Sequence, residues 1–133
     1  MTNRSKKILS EISSGELLDK ISILEIKREK IKNKAYQQEI NKEYKILKEV
    51  LNSNIKMTDK LKNLFKEIRE VNQNLWDIED KCRLCEKDKD FGKNFIELAR
   101  GVYLNNDKRH KIKSEINKIL MSNIKEVKEY AKY

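Results

Sequence analysis

Charged and amide side chains occur in this chain at positions where a plain helical stripe would carry leucine. Glu79 breaks the apolar repeat of its stretch, and Arg100 stands opposite it when residues are matched across the turn near residue 90. A carboxylate on a packing face costs several kcal/mol to desolvate unless it is paired, and a guanidinium opposite it is a bidentate partner. The expected arrangement is a Glu79–Arg100 pair between helices, either fixing register or forming the balanced wall of a polar pocket. A second group comprises Asn72, Asn106, Arg109 and Lys113, with Glu25 and Arg28 as candidate companions. Positive groups converging between helices suit a phosphate or carboxylate ligand. The alternative is a solvated cluster: of Lys108, Arg109, Lys111 and Lys113, only Arg109 and Lys113 share the core-side stripe, because successive helical residues face different directions.

Other motifs carry less chemistry. Trp76 is the single tryptophan and lies off the main seam, as core packing or as a platform for a ring ligand. Cys82 and Cys85 form one C-x-x-C, but zinc needs further ligands and the chain has one histidine, His110. Both cysteines are therefore read as structural. Glu67/Glu70 and Asp77/Asp80 are acid pairs one turn apart. All-helical nucleotide pyrophosphatases hold magnesium with such pairs on two helices, whereas here both fall on one. No nucleophile elbow, phosphate-binding loop or dinucleotide fingerprint occurs. No metal and no cofactor is expected.

The elements that must position these residues follow from what the chain lacks. It has no proline and only three glycines among 133 residues, while 40% are charged. Such a chain defaults to long amphipathic helices. Ser13 and Glu16 form a capping box for helix one, whose stripe runs Leu17, Ile21, Leu24 and Ile31. The helix should fade at Asn33–Ala35. Helix two is expected over about Tyr36–Leu51, with Ile40, Tyr44, Leu47 and Leu51 on one side. Asn52–Thr58 reads as a connection, and Thr58 or Asp59 can cap helix three.

The predicted architecture is all-α: an antiparallel helical bundle dominated by a long hairpin, about 59–87 and 91–120, with two shorter N-terminal helices packed on it. Counting outward from the turn near residue 90 places Glu79 level with Ala99–Arg100, and Asn72 level with Asn106–Arg109. A short last helix, Asn123–Tyr130, is expected after Ser122 as its cap. Residues 1–133 form one domain, with 1–13 expected as a flexible tail.

The net charge is +9, distributed as +4 over residues 1–52, zero over 53–90 and +5 over 91–133. No long run of like charge occurs. A dispersed lysine surface is usually a solvated face, so nucleic-acid association ranks third among the readings. No stretch approaches a membrane-spanning length, and a cytoplasmic location with reduced cysteines is expected. A thin core with long apolar stripes makes a homodimer conceivable.

Three blocks of residues resemble a known family. They are Ser14–Lys27, Val71-Asn72 with Leu75–Asp80, and Phe95–Arg100 with Val102-Tyr103 and Asn106–Arg109, followed by Ile112-Lys113 and Ile116-Asn117. The family is bacterial and of unknown function (DUF6165), and Cys82 and Cys85 depart from its pattern. The resemblance implies no catalytic residues; it implies work beside glycosyltransferase and surface-polysaccharide functions. It marks Glu16, Asp19, Asn72, Trp76, Glu79, Asp80, Glu97, Arg100, Asn106 and Arg109 as polar positions, and with Lys113 these are the candidate ligand-binding residues. The expected function is a helical binding or adaptor protein with an unknown protein partner. The alternative is an enzyme or sensor binding an anionic small molecule, such as a sugar phosphate or nucleotide, in the inter-helix groove.

Overall fold

The computed structural model describes residues 3–133, so the expected N-terminal tail over 1–13 begins outside the described residues. Four helices follow in order: α1 Ser14–Lys30, α2 Lys34–Asn54, α3 Asp59–Asp88 and α4 Lys93–Ile119. No strand occurs among the described residues. The starts of α1, α2 and α3 are set by short polar side chains. Ser13 Oγ accepts the Glu16 amide at 3.1 Å, Asn33 Oδ1 that of Tyr36 at 3.1 Å, and Thr58 Oγ1 that of Leu61 at 3.3 Å. Each satisfies an amide that has no partner in the first turn.

α3 ends at Lys89, which takes a left-handed conformation (φ 54°), and the Asp90 amide reaches back to the Cys85 carbonyl at 2.9 Å. α4 ends in the same way, with Met121 at φ 51° and the Ser122 amide on the Asn117 carbonyl at 2.9 Å. These backward bonds satisfy carbonyls that a helix end would leave open. The turn between α3 and α4 makes them an antiparallel hairpin, and α4 is one continuous helix past Gly101 and Asn105-Asn106.

α1 is the hub: it packs on α2, α3 and α4. The core is formed by Leu17, Leu18 and Ile21 of α1, Leu51 of α2, Leu61 and Leu64 of α3, and Ile116 of α4. Burial then thins toward the hairpin turn. On α3 the buried side chains run from Leu61 to Leu75, and beyond them only Cys85 is buried. On α4 the buried residues are Lys113, Ile116 and Asn117. The stretch from Trp76 through the turn to about Leu104 is thus an arm whose seam lies between two helices. At 1.5 Å per residue it projects about 20 Å.

The expected last helix does not form: residues 123–133 run without helix as a strap along the body. The reason lies at Ser122. Its hydroxyl, which would have capped a helix, instead accepts the Ser14 amide at 3.0 Å and donates to the Ile124 carbonyl at 2.8 Å. The residue that should start a helix is committed to joining the two ends of the domain.

Candidate functional site

The polar residues that meet inside the bundle gather around Asp19, which has 0% exposure. Asp19 lies in the first half of α1, between Leu18 and Ile21 of the core. Its carboxylate accepts from Asn72 Nδ2 at 2.9 Å and from Arg109 Nε at 2.9 Å, and its second oxygen takes Arg109 Nη2. This is the bidentate fork that suits a guanidinium to a carboxylate. Asn72 also donates to Ser22 Oγ at 2.8 Å, and Ser22 donates to the Asp19 carbonyl at 2.7 Å. Arg109 Nη1 reaches Asn106 Oδ1 at 3.5 Å. Three helices are thereby joined by one fully occupied carboxylate.

One turn further along α4, the buried Lys113 extends the network. Its Nζ donates to Glu16 at 2.7 Å and to Glu126 of the strap at 2.8 Å, and lies 3.8 Å from Asp19. Burial, the largest influence, pulls the Lys113 ammonium down. The hydrogen bonds to Glu126 and Glu16, with the charge of Asp19, outweigh it and leave the pKa above the usual lysine value. The hydrogen bond to Asp19 likewise raises Arg109. The Lys113 ammonium holds the Glu126 carboxyl below its usual range, with Lys128 assisting.

The two shifts fix the sign of a pH dependence. A depressed carboxylate contributes stability that is lost as pH falls through its folded value, and a raised lysine contributes stability that is lost as pH rises through its own. The Lys113–Glu126 contact should therefore persist from the ordinary carboxylate range, about pH 4.3, to the ordinary lysine range, about pH 10.4. The side-chain carboxyl carbon of Glu126, followed by NMR, should titrate below about pH 4.3. A midpoint at or above that value would show that the strap does not hold its carboxylate on Lys113.

Backbone closes the same junction. The Gly15 amide donates to Asn117 Oδ1 at 2.7 Å, and a β-carbon on Gly15 would lie 2.6 Å from the Lys113 carbonyl oxygen. Only glycine lets the start of α1 approach α4 this closely.

Of the candidate residues, Glu16, Asp19, Asn72, Asn106, Arg109 and Lys113 meet in this one network. Glu79 and Arg100 do not pair. The heights counted across the turn hold, since a β-carbon on Gly101 would meet Ile78 Cδ1 at 3.0 Å. The azimuth is what differs. The α3 seam past Leu75 passes through Ile78, Cys82 and Cys85, leaving Glu79 on the flank. Glu79 is half-exposed and binds Arg83 at 3.4 Å on its own helix, while Arg100 binds Glu97 at 3.1 Å. Asp80 and Glu97 also face solvent, and Trp76 is half-buried one turn beyond Asn72.

Glu25 and Arg28 likewise belong elsewhere. Glu25 accepts from Arg69 Nε at 3.1 Å, Glu29 accepts from Arg69 Nη2 at 2.6 Å, and Arg28 lies 4.3 Å over the Tyr44 ring. With Gln37 and Asn41 these groups line a polar recess of about 440 Å³ between α1, α2 and α3. Cys82 and Cys85 are free thiols, and burial pushes the Cys85 thiol up, away from the reactive thiolate. Glu67, Glu70, Asp77 and Asp80 are exposed along α3. No group of three or more metal-ligating side chains converges among the described residues.

Sequence reasoning passed over Gly15, Ser22, Arg69, Asn117 and Glu126. Ser22 and Asn117 carried a signal: each lies three or four residues from a network member on the same helical face. Glu126 carried none, because its stretch was expected to be helical.

No curated protein and no solved structure matches the chain. The model of one family, described as "Family of unknown function (DUF6165)", matches residues 8–133. Nearly the whole described chain is thus accounted for by a single family, and this protein belongs to it.

Proposed function

We propose that this protein is a non-catalytic helical binding or adaptor protein whose partner-binding element is the arm of the α3–α4 hairpin. The observation that supports this reading is the exposure of large apolar side chains along a two-helix arm. Leu84 is 58% exposed, Phe91 50% and Ile96 54%, and Tyr103 and Leu104 follow on α4. A helix pair with apolar flanks and a thin seam gains most by accepting a further helix against it. The partner is therefore a protein presenting an apolar helical stripe. The family resemblance points its setting toward glycan or surface-polysaccharide metabolism.

A second reading, an enzyme or sensor for an anionic metabolite, draws on the gathering of Arg109 and Lys113 around Asp19. Those cations already hold the chain's own carboxylates, which favours the adaptor. The two readings separate in one pair of measurements. A photo-crosslinking residue at position 84 or 96 should give one discrete protein adduct in cells, with none from position 45 on the exposed side of α2. Nucleotide sugars, sugar phosphates and nucleotides should leave the melting temperature unchanged, whereas a true ligand at 100 times its Kd would add about 2.7 kcal/mol. Absence of an arm adduct together with a ligand-induced shift would replace the adaptor by the metabolite reading.

A further inference from the structure

The strap over α4 has the contacts of a ligand more than those of a structural element. Residues 123–133 are all exposed, and no backbone hydrogen bond joins 125–133 to the helices among the described residues. Past Ile124, whose carbonyl accepts from Ser122 Oγ at 2.8 Å, side chains alone hold it. Asn123 donates to Glu11 at 2.7 Å, Glu126 accepts from Lys113 at 2.8 Å, and the Tyr133 hydroxyl donates to Asp107. The Tyr133 ring meets Tyr103 edge to face, with centroids 5.8 Å apart. The underlying surface is more specific than the strap itself. Lys113 is 6% exposed and prepaired by Glu16, so it offers a dehydrated ammonium to one further carboxylate. Beyond it, a cavity of about 470 Å³ remains between strap and helix, walled by Val102, Tyr103, Asn106, Asp107 and Tyr130. The strap therefore does not fill the space it covers.

We propose that this face of α4 is a docking groove for an extended peptide segment carrying a carboxylate and, further along, a phenol, and that the chain's own tail occupies it as a displaceable stand-in. Lys113 is the anchor for the carboxylate: a buried ammonium is costly without acceptors, so an incoming segment must replace the Glu126 contact with one like it. Asp107 and the edge of Tyr103 are the anchor for the phenol, which joins one hydrogen bond to an aromatic contact. The tail acts as an intramolecular competitor, and its high effective concentration keeps the groove closed against weak peptides. Val102 and Tyr103 at the base of the arm also wall this groove, but positions 84 and 96 lie outside it, so the crosslinking experiment and the one below fail independently.

The test uses the full chain with Glu126→Gln and Tyr133→Phe, which weaken both tail anchors while leaving the groove intact. The probe is a fluorescent peptide with the sequence of residues 123–133. The variant should bind it at least about tenfold tighter than the unaltered chain, and lose that binding when the peptide carries the same two substitutions. Equal affinity for both proteins, or no binding to the variant, overturns the proposal. A second measurement needs no variant. In hydrogen exchange on the unaltered chain, amides 125–133 should exchange within seconds while amides of α4 from 108 to 117 stay protected. Tail protection equal to that of α4 also overturns it. A chain dimer that the peptide dissociates would identify the occupant as a second copy's tail and overturn the partner-peptide form.

Discussion

Replacing Arg109 by alanine is expected to destabilise the fold by about 3–5 kcal/mol. Asp19 has 0% exposure, and Arg109 supplies two of the three hydrogen bonds that its carboxylate accepts from side chains. With the guanidinium gone, Asn72 remains at 2.9 Å and Lys113 at 3.8 Å, and neither replaces the fork. The cost comes from leaving a charge buried and underpaired, which exceeds what the pair contributes against an apolar alternative. Arg109→Lys should recover little, since an ammonium cannot present two parallel donors. The double substitution Asp19→Leu with Arg109→Met should recover much of the loss. Urea unfolding followed by far-ultraviolet circular dichroism and by Trp76 fluorescence measures each value. A change within about 0.5 kcal/mol for Arg109→Ala would mean that the network is ornamental to folding.

Gly15→Ala should destabilise by about 1–3 kcal/mol, against the ordinary direction for glycine in a helix. Alanine normally gains up to about 1 kcal/mol at a helical position. At Gly15 its β-carbon would stand 2.6 Å from the Lys113 carbonyl oxygen and 2.9 Å from Asn117 Oδ1. The first is backbone of a packed helix, so α1 must move away and stretch the Gly15–Asn117 hydrogen bond. Gly101 supplies the contrast. A β-carbon there meets only the Ile78 side chain, most closely its terminal methyl at 3.0 Å, which can rotate aside. Gly101→Ala should be neutral or stabilising by up to about 1 kcal/mol. Opposite signs for the two substitutions in the same unfolding assay are the expected result. Equal signs would show that the contact between α1 and α4 is looser than described.

The linear order of residues determined the helices themselves. The Ser13 cap, the stripe on α2 from Ile40 to Leu51, the Thr58 start and the turn around residue 90 each follow from local chemistry, because caps and apolar spacing act within a few residues. The heights of residues across the hairpin were also legible, since a tight turn fixes them by counting. Asn72 and Arg109 therefore belonged together before any coordinates.

What counting could not supply was rotation about each helix axis and the placement of α1. A seam that steps through Ile78 instead of Glu79 differs by one residue, about 100° of turn, and that separates a buried ion pair from two solvated local ones. Asp19 became the centre of the network only because α1 packs where that carboxylate can accept from both Asn72 and Arg109. The strap shows the same limit in another form. Ser122 has the local chemistry of a helix start, yet its hydroxyl is held by Ser14, more than a hundred residues away in sequence. Local propensity is worth tenths to about one kcal/mol per residue, and a buried junction between chain ends outweighs it. The helices were decided by neighbours in sequence; the buried charge network and the strap were decided by neighbours in space.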